Sequence, residues 1–252
     1  VSDRTQLGLP KTVNACLFDL DGVLTQTASV HARAWKQMLD AFLQQRAERA
    51  GKPFVPFDRV RDYDEYVDGK PRADGVRSFL ASRGIRLPEG SEDDPPDRET
   101  VHGLGHRKDD IFLRLIHEHG VATYKGSMQY VLTARAAGLH VAVVSSSKNC
   151  AEVLRAAGID ELFDGMVDGN VAEAEGLKGK PAPDTYLRAA RILGASTKEA
   201  AVYEDALAGV EAGRAGGFGL VVGVNRAGQR DALLAHGADV VVEDLRELMK
   251  GS

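Results

Sequence analysis

The chain has 252 residues, 43% of them hydrophobic and 27% charged, a composition that supports a buried core and sets disorder aside. Its formal net charge is −5, with both signs interspersed, which argues against a nucleic acid or an anionic membrane as partner. Two cysteines in no disulfide or zinc spacing make a reducing cytosol the default location, and no apolar run approaches bilayer length.

In chain order, Val1 to Pro10 carries no apolar signal-peptide core. Val13 to Phe18 is an apolar run of strand length, followed by Asp19-Leu20-Asp21-Gly22. From Val30 the spacing turns helical, with Ala34, Trp35, Met38, Leu39 and Phe42 on one face. Short helical patterns continue around Val76, Phe79 and Leu80. Leu87 to Glu99 is acidic and proline-containing and reads as a solvated loop. Helical spacing resumes at Ile111 and stops at Gly120, so 29–120 reads as an all-helical insert. Beyond Gly126, strands and helices alternate: His140–Val144, Phe163–Val167, Ala200–Tyr203, Gly219–Val224 and Val240–Val242 are the strands, and a last helix closes the chain. Apolar strands alternating with helices predict a parallel sheet covered on both faces, with ligands at the carboxyl ends of its strands.

Chemistry gathers after several of these runs. Asp19 and Asp21, two apart in an extended segment, point the same way into one small volume. Ser145-Ser146-Ser147-Lys148-Asn149 follows the HVAVV strand and precedes a helix, where hydroxyls and backbone N–H groups suit a phosphate. Lys180 lies between Gly179 and Pro181, in a backbone stiffened by two prolines. Glu204 and Asp205 follow another apolar run. Each feature alone has an ordinary explanation: a turn, a serine cap, a solvated lysine, an aspartate cap. Together they offer oxygen ligands for a hard cation such as Mg²⁺, donors for a phosphate, and a carboxylate able to attack phosphorus while a neighbouring acid protonates the leaving oxygen.

The stretches FDLDGVLT, VVSSSKN, GKPAPD and YEDALAG, in that order, resemble the four motifs of the haloacid dehalogenase (HAD) phosphotransferase superfamily. Thr27, His31 and Ala34-Trp35-Lys36, with Gly69-Lys70-Pro71-Arg72 and Arg107-Lys108-Asp109, extend the resemblance to its β-phosphoglucomutase subfamily over about residues 13 to 245. The resemblance implies a doubly wound, Rossmann-like α/β core (1–28 and 121–252) carrying a helical cap (29–120). It implies that Asp19 is the nucleophile and Asp21 the general acid and base. Asp19, Asp21 (through its main-chain oxygen), Glu204 and Asp205 are the implied Mg²⁺ ligands. Lys180 and Ser145 would hold the transferring phosphoryl group. Ser146, Ser147, Lys148, Asn149, Thr27, Trp35, Gly69, Lys70 and Arg72 would line the sugar-phosphate site, while His31 and Lys108 would couple cap closure to Asp21.

The activity so implied is a phosphomutase interconverting β-D-glucose 1-phosphate and glucose 6-phosphate through an aspartyl-phosphate enzyme and glucose 1,6-bisphosphate. The alternative is a phosphatase of the same superfamily acting on a small sugar phosphate. Gln26, Lys70-Pro71 and the Leu87–Glu99 loop depart from the subfamily pattern and leave the sugar open. A non-enzymatic phosphoacceptor of the receiver type keeps its acceptor on a later strand and lacks a helical insert. A nucleotide-binding enzyme lacks support, because no GxxxxGK[ST] loop or well-placed GxGxxG follows any strand. The expected form is a cytoplasmic monomer acting on a small molecule.

Overall fold

The computed structural model describes residues 4–249; residues 1–3 and 250–252, included in the expected core limits, lie outside the described residues. By internal contacts the chain divides into two compact units. One takes in Val1–Gln26, Gly69–Pro71 and Val121–Ser252, and the other Thr27–Asp68 and Arg72–Gly120.

The first unit is built on six parallel strands: β1 (Ala15–Phe18), β2 (His140–Val144), β3 (Gly165–Val167), β4 (Ala200–Glu204), β5 (Leu220–Val224) and β6 (Val240–Val242). Their order across the sheet is β3-β2-β1-β4-β5-β6, which puts β1 in the interior between β2 and β4. Phe18 is in register with Val143 on one side and Tyr203 on the other, so these three strands end at one level. Helices α4 (Lys125–Ala136), α5 (Cys150–Ala156), α6 (Gly169–Ala174), α7 (Asp184–Ile192), α8 (Leu207–Ala215) and α9 (Arg230–His236) connect and cover the strands. A parallel sheet hidden on both faces has no wet side, hence the uninterrupted apolar runs that betray β2 and β6 in the sequence.

Alternate residues of each strand serve opposite faces. Leu17, Ala142, Val144 and Val202 pack with Tyr186 and Ala189 of α7 and Val210 of α8. On the other face Phe18 stacks on Tyr203 with ring centroids 4.5 Å apart, and Tyr130 of α4 meets Phe18 edge-on at 6.4 Å. The phenols here are hydrogen-bonded despite burial: Tyr130 and Tyr203 hydroxyls lie 2.9 Å apart, and Tyr130 donates to the Leu7 carbonyl at 2.9 Å.

The second unit holds α1 (Ala28–Ala50), a π-helical turn (Tyr63–Val67), α2 (Arg72–Ser82) and α3 (Val101–His119), with no strand among its described residues. Its own core joins Trp35, Met38, Leu39 and Phe42 of α1 to Phe79 of α2 and Leu104 of α3.

Some local expectations are corrected. The acidic loop before α3 is not simply solvated. Asp94 is buried; its carboxylate accepts from Thr100 Oγ1 and from Arg98, each at 2.7 Å, and its carbonyl lies 2.7 Å from His106 Nδ1. His106 is therefore engaged in this loop. Thr100 in turn caps α3 by accepting from the Gly103 N–H. The closing helix is only a 3-10 turn, Leu245–Leu248, and the short helices α6 and α9 have too few apolar repeats to register as periodicity.

Candidate active site

β1 and β4 run side by side and deliver acids at the same end. The Asp19 N–H donates to the Tyr203 carbonyl at 2.9 Å, prolonging the ladder by one residue and fixing the Asp19 main chain. Glu204 is the last residue of β4 and is fully buried; Asp205 follows, also buried. Carboxylate oxygens of Asp19, Glu204 and Asp205 lie within 4.8 Å of one another.

Lys180 comes from the loop before α7, where its peptide bond to Pro181 is cis. Its ammonium is 2.5 Å from Asp19 Oδ1 and 2.5 Å from Glu204 Oε1, and it donates to the Val144 carbonyl at 3.2 Å. Burying a lone charge costs several kcal/mol, so this cation persists inside the protein only because carboxylates meet it. Burial alone would lower the Lys180 pKa, but Asp19 and Glu204 outweigh it and hold the ammonium well above its ordinary range. Burial pushes the Asp19 carboxyl up; Lys180 opposes that rise, while Glu204 and Asp21 add to it.

Tyr186, unremarked in the sequence, completes the arrangement. Its hydroxyl donates to Glu204 Oε1 at 3.0 Å, and Lys180 Nζ lies 5.0 Å from its ring centroid. The other Glu204 oxygen accepts from the Ala206 N–H at 3.0 Å. Both oxygens of Glu204 thus already carry protein donors, and this carboxylate orients Lys180. The signal for Tyr186 is its place in the first turn of α7, just after the lysine loop.

Two glycines make the close packing possible. A Cβ on Gly209 would stand 1.7 Å from Glu204 Oε1, which explains the final glycine of YEDALAG. Gly22 has φ +85°, and a Cβ there would stand 1.7 Å from Asp205 Oδ2. The turn after Asp21 consequently lies directly against the Asp205 carboxylate.

The serine loop is largely self-bonded. Ser145 Oγ accepts from the Ser147 N–H and Ser147 Oγ from the Asn149 N–H, each at 3.1 Å. Ser146 Oγ donates to the Gly69 carbonyl at 2.8 Å, which brings the segment that also holds Lys70 to the strand ends. Lys148 is turned to Glu173, 2.6 Å away in a half-exposed ion pair.

The remaining residues singled out in the sequence belong to the helical unit. Lys108, buried in α3, lies 2.6 Å from His31 Nδ1, and its ammonium sits 4.8 Å from the Phe112 ring centroid and 5.6 Å from that of Trp35. His31 stacks on Phe112 at 3.9 Å. Thr27 is buried at the start of α1 and accepts from the His31 N–H at 2.9 Å through its carbonyl. Arg72, at the head of α2, pairs with Asp109 at 2.6 Å.

A buried carboxylate, a lysine clamped to it and an oxygen-only acidic cluster at the ends of parallel strands are the groups that phosphotransfer chemistry uses. Residues 13–217 match the family described as haloacid dehalogenase-like hydrolase. A β-phosphoglucomutase of Mycobacterium bovis is 57% identical over 246 residues, covering 96% of this chain and 94% of that protein. A β-phosphoglucomutase of Bacillus subtilis is 31% identical over 236 residues, 94% of this chain and 92% of that one. Among solved structures, β-phosphoglucomutase from Clostridium difficile superposes with a TM-score of 0.73 at 24% identity, covering 94% of each chain, a likeness of fold.

The chain belongs to the haloacid dehalogenase-like hydrolase family. Within it, the chain is a phosphotransferase of the β-phosphoglucomutase subfamily.

Proposed function

We propose that this enzyme is a Mg²⁺-dependent phosphomutase that interconverts β-D-glucose 1-phosphate and glucose 6-phosphate. The observation that carries this reading is the buried Asp19–Lys180–Glu204 arrangement beside Asp205. The mutase names of relatives covering nearly the whole chain support the sugar.

The donor set fits a small hard cation. Three buried carboxylates lie within 4.8 Å of one another, two of them on Lys180; all the ligand atoms of this cluster are oxygens, with no thiolate or imidazole among them. Asp19, Asp205 and the Asp21 carbonyl would hold the ion, with Glu204 acting on it through water. Bound there, Mg²⁺ supplies positive charge against the phosphoryl oxygens and the acidic cluster.

In the reaction a carboxylate oxygen of Asp19 attacks the phosphorus of glucose 1,6-bisphosphate. The bond from phosphorus to the sugar oxygen breaks, and Asp21 gives that oxygen its proton. β-Glucose 1-phosphate then takes the phosphoryl group from Asp19 on its 6-hydroxyl, Asp21 receiving the proton released, and the bisphosphate so formed returns its 1-phosphoryl group to Asp19 and leaves as glucose 6-phosphate. Lys180 and Ser145 hold the group in transfer, while Ser146, Ser147, Asn149, Gly69 and Lys70 contact the sugar or its second phosphate. Arg72 binds that second phosphate as a bidentate fork. His31 and Lys108 link closure of the helical cap to the placing of Asp21, and Thr27 and Trp35 line the sugar-phosphate site. Exclusion of water favours the sugar hydroxyl as acceptor.

The test is incubation with β-glucose 1-phosphate, a trace of the bisphosphate and Mg²⁺. Glucose 6-phosphate should accumulate with little free phosphate. Release of phosphate alone would replace the mutase reading with that of a sugar phosphatase, the activity named for a Thermotoga maritima relative 26% identical over 242 residues.

A further inference from the structure

We propose that Arg226, on the loop after β5, is a positioning residue that holds the Asp21–Gly22 turn in its reactive geometry; this rests on the phosphotransfer reading above. No motif points to this arginine, yet its guanidinium reaches the loop that follows β1. Nε donates to the Gly22 carbonyl at 2.6 Å, and Nη1 donates to the Glu243 carbonyl at 2.8 Å. The guanidinium carbon lies 3.6 Å from the centroid of the Tyr124 ring, a cation–π stack.

Those contacts converge on one backbone turn. The Gly22 N–H donates to the Thr25 carbonyl at 2.8 Å, and because a trans peptide sets N–H and C=O opposite, that bond directs the Asp21 carbonyl away from Thr25. Arg226 fixes the next peptide through the Gly22 oxygen, so the planes on both sides of Gly22 are held. Tyr124 is tied to the same segment, its N–H donating to the Leu24 carbonyl at 2.9 Å. Arg226 therefore clamps the turn from its carbonyl and braces Tyr124, which is bonded to its far end.

A second contact from the same loop points the same way. Gln229 Nε2 donates to the Asp205 carbonyl at 3.1 Å, and the Gln229 N–H is held by Asn225 Oδ1 at 2.7 Å. The loop after β5 thus grips both acidic segments, Asp21–Gly22 and Asp205, through their backbones. Arg226 Nη2 is buried with no hydrogen-bond partner among the described residues.

The experiment compares full-length wild type, Arg226→Ala and Arg226→Lys with Mg²⁺ present. Misplacement of a turn by about 1 Å costs about 100-fold in rate, so kcat of Arg226→Ala should fall by about that factor. KM should change by less than about threefold, because no group that touches the sugar is removed. Arg226→Lys keeps the charge but not the planar fork and should recover little. Free guanidinium at low millimolar concentration should restore part of the rate to Arg226→Ala and none to wild type.

Amide hydrogen exchange supplies a readout independent of turnover. Residues 20–25 should exchange faster in both variants while the sheet strands exchange as in wild type. Faster exchange throughout the sheet, a rate loss that tracks the unfolded fraction, or an unchanged kcat in the folded variants would overturn the proposal. Should wild type release only phosphate, the mutase reading fails, and the exchange of residues 20–25 still decides the role of Arg226.

Discussion

The Tyr186 hydroxyl donates to Glu204 Oε1, the same atom that lies 2.5 Å from Lys180 Nζ. Lys180 is therefore aimed by a carboxylate that is itself held from behind. Tyr186→Phe keeps the ring under the ammonium and removes only the hydroxyl. Hydrogen bonds to charged groups contribute about 1.5–3 kcal/mol, so urea unfolding should show a loss in or just below that range. The rate of phosphoryl transfer should fall as well, with KM for the sugar phosphate little changed. A variant as stable and as fast as wild type would show that Glu204 needs no such support.

Lys180→Met has a larger expected effect. It leaves Asp19 and Glu204 facing each other in the protein interior without their cation, and breaking a buried pair typically costs about 3–5 kcal/mol. Unfolding without divalent ions measures this directly. Added Mg²⁺ should recover more stability in this variant than in wild type, since it supplies the missing charge.

Arg72 and Asp109 form an ion pair within the helical unit, each about one-fifth exposed. If Arg72 captures the distal phosphate, Arg72→Ala should raise KM for the bisphosphate by about 10- to 100-fold, the equivalent of one charge-assisted contact of about 1.5–3 kcal/mol. Arg72→Lys should remain impaired, because an ammonium does not reproduce the bidentate fork. Steady-state kinetics on both variants decide it: an unchanged KM removes Arg72 from the binding site.

The loop around Asp94 predicts a pH effect. The Thr100 hydroxyl, then Arg98, hold the Asp94 carboxyl below its ordinary value of 3.8, outweighing burial. A depressed carboxyl binds its proton less readily folded than unfolded. Its contribution is therefore present in full above pH 3.8 and is lost as pH falls below that toward the lowered folded value. Thermal unfolding of Asp94→Asn should accordingly be less stable than wild type at pH 7, with the gap narrowing below about pH 4. A gap that is constant with pH would show that the charge of Asp94 has no part in holding the loop.

The sheet was readable because its strands are buried on both faces: VAVV, LVVGV and VVV have no polar residue to interrupt them, and each strand stands beside a glycine- or aspartate-bearing turn. The acids were readable for a related reason, since Asp19 and Glu204–Asp205 stand where apolar runs stop. What stayed hidden depends on partners far away in sequence. Arg226 meets Gly22 across 204 positions, and nothing local distinguishes it from any surface arginine. Tyr186 looks like one more apolar position of α7 until Glu204 is placed beside it. Lys148, read as a ligand contact, is paired with Glu173 on α6, a helix too short to be seen in the sequence. Asp94 was obscured by composition: an acidic, proline-containing stretch reads as solvated, yet Arg98 and Thr100 satisfy its carboxylate inside the loop.

The mechanism requires Asp19 to be the phosphoryl acceptor within the buried acidic cluster. The direct measurement is peptide mass analysis of enzyme quenched in acid during reaction with glucose 1,6-bisphosphate and Mg²⁺. The expected result is one added phosphoryl group on Asp19, absent from Asp19→Ala, which should also be inactive. A phosphoryl group on another residue, or turnover surviving in Asp19→Ala, would contradict the mechanism.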